Sequence, residues 1–230
     1  MFISFRGEDT RKTFTSHLNA ALERLDISTY IDNNLQRGDE ISSTLIRAIE
    51  EAKLSVIVFS KHYADSKWCL DELVKIVECG KTKGQVIVPV FYDIDPSDVR
   101  HQRGTYAEAF AKHEQHSQHN MEVRKWRDCL AVAANFAGWD CNVNRTESEI
   151  VEEIAMDVLE KLNRVYVGDL DHQITRNEQL LEAQNQFCNR VYDKEIRRQR
   201  DATAKRIEKL KLDRSTRLLR FTPDDFCYDL

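Results

Sequence analysis

Up to about residue 165, short apolar runs alternate with longer segments in which apolar positions return every three or four residues. The runs Phe2–Phe5, Ile27–Ile31, Leu54–Phe59 and Val86–Tyr92 predict strands, with a short, weaker one at Phe136–Trp139. Helical periodicity falls at about 12–26, 41–52, 67–79, 105–116, 122–135 and 147–163. The alternation predicts an α/β fold: a flavodoxin-like five-stranded parallel sheet with helices on both faces. Near-continuous apolar strands such as Val86–Phe91 suit burial on both sides, although Pro89 is awkward in a central strand.

In such a sheet, ligands bind beyond the carboxyl ends of the strands, where the order reverses between the first and third. Those ends lead here into Arg6-Gly7-Glu8-Asp9 and Ser60-Lys61-His62. A few residues later Ser66-Lys67-Trp68-Cys69-Leu70-Asp71-Glu72-Leu73 opens a helix. On a helical wheel Leu70, Leu73, Val74 and Val77 form one stripe, with Trp68, Glu72, Lys75 and Cys79 opposite. Taken alone, Glu72 reads as helix surface and Trp68 as a half-buried ring under a loop. The topology instead puts both beside the expected cleft, where an indole can serve as a platform for a flat ligand.

Composition narrows the class. The net charge of −5 argues against generic nucleic-acid binding by the whole chain. Six cysteines, with no CxxC pair, speak against a zinc site or a disulfide framework and suit a reducing compartment. No run approaches the ~20 apolar residues of a membrane span, and no charged-then-apolar leader opens the chain. A cytoplasmic protein without membrane contact is expected, with the nucleus as a second compartment. Met1–Phe5 reads as a strand joined partway along, as though the chain began two or three residues late.

Three patterns are weaker than they look. Gly80-Lys81-Thr82 resembles the end of a phosphate-binding loop, but Lys75 stands where the leading glycine belongs. His113, His116 and His119 are three apart yet have no fourth ligand, so no metal is expected. Asp93, Asp95 and Asp98 read as a turn entering a helix through Asp95-Pro96-Ser97.

From Gly168 the chain changes character. Residues 170–222 lack Gly and Pro and read as one or two charged helices, coiled coil or partly disordered. Lys194–Arg220 carries eleven basic and four acidic residues. A solvated helix is the ordinary meaning of such a run, and contact with phosphate, nucleic acid or an acidic partner the sharper one. Phe221–Leu230 is an aromatic, acidic end. The expected division is 1–165 for the domain and 166–230 for a tail whose partner is unknown.

Several segments resemble plant TIR domains, the Toll/interleukin-1 receptor-like modules of intracellular immune receptors. They are Phe2–Arg11, Phe14–Leu18, Tyr30–Asp32 with Leu35–Ile41, Ser66–Leu73, Val88–Asp93 with Asp95–Arg100, and Ala133–Trp139. No Walker-type loop or leucine-rich period follows, so the chain resembles a TIR-only or truncated member. The resemblance implies an NAD nucleosidase (glycohydrolase) that yields nucleotide signals in plant innate immunity. NAD would be substrate, with no tightly bound cofactor. Glu72 matches the catalytic carboxylate; Arg6, Gly7, Arg37, Ser66 and Trp68 match substrate-binding positions. The resemblance also implies self-association, or pairing with other TIR proteins, through the first and last domain helices near Ser16 and His17 and through a face near Gly138. The loop holding Arg37 in one copy would complete the site of the next. In the last domain helix, Ile150, Val151, Ile154, Ala155, Val158, Leu159 and Leu162 sweep a broad arc, part of which is expected to face a partner. A non-catalytic scaffold acting through TIR–TIR contacts is the alternative.

Overall fold

The computed structural model describes residues 1–31, 43–116, 120–141, 145–188 and 194–219, which fall into two compact units, Met1–Leu159 and Glu160–Leu230. Arg37 and the rest of 32–42, His119, and the end from 220 onward lie outside the described residues.

In the first unit, β1 (Phe2–Phe5), β2 (Leu54–Phe59), β3 (Val86–Phe91) and β4 (Trp139–Asp140) form a parallel sheet in the order β1-β2-β3-β4. Among the described residues there are thus four strands, not the expected five. The segment Ile27–Ile31 contributes one parallel bridge, Tyr30 to Phe2. Tyr30 N–H donates to the Met1 carbonyl at 2.8 Å and Ile3 N–H to the Tyr30 carbonyl at 3.1 Å. The Ser28 carbonyl accepts from the Met1 ammonium at 2.7 Å, and the Thr29 hydroxyl donates to Asn19. The bridge still marks the place where flavodoxin-like order puts that strand, so the reversal point lies between β1 and β2.

The helices are α1 (Gly7–Thr10), α2 (Phe14–Arg24), α3 (Ser43–Glu51), α4 (Lys67–Lys83), α5 (Pro96–His101), α6 (Thr105–His116), α7 (Asn120–Ala134), α8 (Glu147–Cys188) and α9 (Lys194–Leu219). Strand side chains alternate between faces. Phe2, Ile57, Phe59 and Phe91 enter a core with Ile49 of α3, Leu73 of α4, Phe110 of α6 and Trp126 of α7. The alternate set, Ile3, Phe5, Val56, Val58, Val88 and Val90, is buried on the opposite face. Helices α2 and α8 are tied to each other by an Arg24–Glu152 ion pair and by His17 Nδ1–H donating to Glu147 at 2.8 Å. Ile150, Val151, Ile154, Ala155 and Val158 are all buried, so the chain itself consumes most of that broad arc.

Pro89 is accommodated in β3, paired with Ile57 of β2. Its carbonyl faces Gly138, whose backbone runs so close that an added Cβ would lie 2.4 Å from that oxygen. The proline nitrogen lies along the same edge as its carbonyl, and pairing with β4 begins only at Val90, so no ladder donor is missed.

Helix α4 departs from a single buried stripe. Cys69, Leu70, Glu72, Leu73, Ile76, Val77 and Cys79 are all buried, because α4 packs against the sheet, α3 and α7 together. Glu72 and Cys79 therefore do not face away from the core, as the wheel predicts. Ser66 caps its first turn, accepting from Cys69 N–H at 3.4 Å, and Gly84 ends it at φ +69°, a left-handed conformation that suits glycine. The helix runs past Gly80 to Lys83.

In the second unit the distal part of α8 and α9 form an antiparallel pair, seen from Glu178–Lys211 at 2.6 Å, the Asp171–Arg214 ion pair, and Arg217 over the Tyr166 ring. Leu170, Ile174 and Asn177 on α8, with Thr203 and Ile207 on α9, are buried. The tail is thus a charged helical extension, and α8 continues through Gly168 without a break. No helix among the described residues is long and apolar enough to cross a membrane.

Candidate functional site

The reversal point of the sheet is stitched together by polar side chains. Asp9, in the first turn after β1, accepts from the Ser60 hydroxyl at 2.5 Å and from His62 N–H at 3.1 Å, both just past β2. Arg6 pairs with Glu8 at 2.6 Å and approaches Asp9 at 3.5 Å. Two strand ends are thereby fixed side by side.

Glu72 comes up beneath them from α4. It is only 4% exposed, and Oε2 accepts from the Ser4 hydroxyl at 2.6 Å. Ser4 itself is fully buried on β1, on the same face as Phe2. Its oxygen lies 2.9 Å from the Tyr63 hydroxyl, which donates to the Cys69 carbonyl at 2.9 Å. Burial pushes the Tyr63 hydroxyl well above its ordinary value, with Cys69 and Glu72 adding to the effect, so Tyr63 stays a neutral donor. Burial likewise pushes the Cys69 thiol up, and its Sγ–H reaches the Phe5 carbonyl at 3.5 Å. A buried carboxyl must have hydrogen-bond partners, and this network supplies one from β1.

The other residues singled out by sequence fall into different settings. Trp68 is half-buried and, among the described residues, makes no ring stack or hydrogen bond. Ser66 is the α4 cap. Above Gly7 the space is filled by the Arg11 guanidinium, 2.8 Å from where a Cβ would stand, and that group lies over the Phe5 ring. Ser16 is exposed and donates to the Thr13 carbonyl at 2.8 Å. His17 is exposed apart from its bond to Glu147. Gly138 has an internal reason to be glycine in its approach to Pro89.

His113 donates Nε2–H to the Ala64 carbonyl at 2.8 Å and packs edge-on against Trp126. Among the described residues no group of three His, Cys, Asp or Glu side chains could hold a metal ion. A cavity of about 380 Å³ beside the start of β1 is lined by Met1, Ser28, Thr29, Tyr30, Thr44, Arg47, Ala48, Glu51 and Ala52. Glu72 and Trp68 do not line it.

Sequence reasoning missed Ser4, Tyr63 and Asp9. A signal existed for Ser4: it is a polar residue on the inward alternation of an otherwise apolar strand. Tyr63 had none, since its bond to Ser4 spans 59 residues of chain.

These features define a doubly wound α/β module with an acidic side chain buried at its reversal point. A model of the TIR domain family matches residues 1–176, and the chain belongs to that family. It is 49% identical over 170 residues to disease resistance protein RPV1 of Vitis rotundifolia, covering 73% of this chain and 12% of that protein. It is 42% identical over 190 residues to TMV resistance protein N of Nicotiana glutinosa, covering 79% of this chain and 17% of that one. The chain thus spans less than a fifth of the length of either relative. Among solved structures, the TIR domains of the activated Roq1 resistosome, which directly recognizes the pathogen effector XopQ, match with a TM-score of 0.64 and 48% identity. That match covers 68% of this chain and 97% of the other.

Proposed function

We propose that this TIR domain cleaves the bond between nicotinamide and ribose in NAD, with Glu72 as the catalytic carboxylate, in plant disease-resistance signalling. The observation that carries the reading is the placement of Glu72: a carboxyl held at the carboxyl ends of β1 and β2, where a doubly wound sheet receives its ligand. Nicotinamide leaves as a neutral base, taking the bonding pair. The ribosyl carbon left behind is positively charged, and a fixed carboxylate nearby stabilises it more than it stabilises the ground state. Water then adds to that carbon and gives up a proton, or a second nucleotide group takes its place. Trp68 would form a wall for one ring, while Arg6 and Arg37 would supply cations for the phosphates and Gly7 and Ser66 line the approach.

Assembly belongs to the same proposal. The Roq1 match is to TIR domains within an assembled resistosome, which supports TIR–TIR association of this chain. The exposed Ser16 and His17 on α2, and the edge around Gly138, are the faces proposed for it.

The scaffold reading has one observation in its favour, the near-complete burial of Glu72 in the single chain. Nicotinamide release by the wild type and by Glu72→Ala separates the two. Loss in the variant supports the enzyme, and equal output from both leaves the scaffold.

A further inference from the structure

The Glu72 carboxyl reaches beyond its own helix to the sheet. It accepts a hydrogen bond from β1, from a serine that is itself fully enclosed and bonded in turn to Tyr63. Proton bookkeeping constrains this chain of groups. The Tyr63 hydroxyl has one proton and two acceptors within reach, the Cys69 carbonyl and the Ser4 oxygen, each at 2.9 Å. Ser4 has one proton and two oxygens within reach, Glu72 at 2.6 Å and Tyr63 at 2.9 Å. When Glu72 is ionised, Ser4 donates to it and accepts the Tyr63 proton. When Glu72 carries a proton, the carboxyl donates to Ser4, the Ser4 proton turns to Tyr63, and Tyr63 donates to the Cys69 carbonyl. Ser4 is therefore satisfied in both protonation states of the acid, and only in the ionised state does it act as donor to the charge.

We propose that Ser4 is a positioning residue for Glu72, fixing the carboxyl at the end of β1 and stabilising its ionised form. The inference rests on the reading of Glu72 as the catalytic carboxylate and deepens it by naming what holds that group ready. Tyr63 is the second member of the device: it acts on Ser4 by occupying one side of its oxygen. Tyr63 and Cys69 both feel the Glu72 charge, and burial keeps both neutral through the working pH range. Neither adds a limb of its own to a pH profile near neutrality.

The distinguishing variant is Ser4→Ala. Removing a donor to a carboxylate raises the pH at which that carboxylate forms. A merely structural serine would lower activity equally at all pH values. For nicotinamide release from NAD by the full chain, Ser4→Ala is expected to lower kcat about tenfold with KM within about twofold, and to move the acid limb up by about one pH unit. Ser4→Thr, which restores the hydroxyl, returns both to within about threefold of wild type. The same shift is read without any substrate, by carbon-13 titration of the Glu72 carboxyl, assigned by its absence from Glu72→Gln. A midpoint moved up in Ser4→Ala and restored in Ser4→Thr supports the proposal. An unmoved midpoint overturns it. If the wild type releases no nicotinamide, the enzymatic reading fails separately, and the titration still decides the role of Ser4. Should Ser4→Ala fail to fold, Ser4→Cys keeps the volume with a weaker donor, and the same upward shift is expected in smaller measure.

Discussion

Ser4 on β1 and Glu72 on α4, 68 residues apart in sequence, meet through a 2.6 Å hydrogen bond inside the protein. The bond joins the strand that begins the sheet to the helix that follows the next strand. It places a carboxyl at the reversal point of the fold while the rest of α4 is packed into the core. Its neighbours set the stability and chemistry of the region, and each gives a measurable consequence.

Asp71, one residue before Glu72, accepts from Trp126 Nε1–H at 2.7 Å. Burial holds its carboxyl above the usual carboxylate range, outweighing the pull of Trp126 in the opposite direction. A raised folded pKa means that the native state binds more protons than the unfolded state above about pH 4, so stability contributed there is lost as pH rises. Asp71→Asn keeps an acceptor for Trp126 without the charge. It is expected to raise the melting temperature at pH 7 and to flatten the decline above about pH 4, as read by thermal melts across that range.

Gly138 is an internal contact before it is a surface. A methyl group there would meet the Pro89 carbonyl carbon at 3.1 Å and oxygen at 2.4 Å, both backbone atoms that yield little. Gly138→Ala is expected to cost about 1–3 kcal/mol, lowering the melting temperature by roughly 2–10 °C. Loss of association in this variant would then have to be read against its lost stability.

Trp68 is half-buried and makes no ring stack or hydrogen bond among the described residues. Trp68→Ala should therefore leave the melting temperature within about 2 °C while raising KM for NAD several-fold. A large fall in stability with unchanged KM would assign Trp68 to packing instead.

If assembly completes the site, nicotinamide release per chain should fall steeply on dilution. Activity measured against protein concentration checks this: a rate strictly proportional to concentration down to high dilution would remove assembly from the proposal.

Much of the architecture was legible because buried parallel strands leave long apolar runs, as at Leu54–Phe59 and Val86–Phe91. Ile27–Ile31 is apolar at only three of five positions, and among the described residues it runs beside the start of β1 through Ser28 and Tyr30 without forming a full strand. The helical wheel failed at Glu72. A wheel resolves one buried direction, whereas α4 is enclosed by the sheet, α3 and α7 at once. The Tyr63–Ser4–Glu72 network is not local, so no spacing in the sequence announces it. The short helix Gly7–Thr10 was also unread: four residues carry no periodicity.

The central claim is most directly tested by nicotinamide release from NAD at high protein concentration, comparing the wild type with Glu72→Gln. The account predicts steady release by the wild type and a loss of at least about a hundredfold in the variant, with its melting temperature within a few degrees. Equal release by both proteins, or none from a folded and associated wild type, would contradict it.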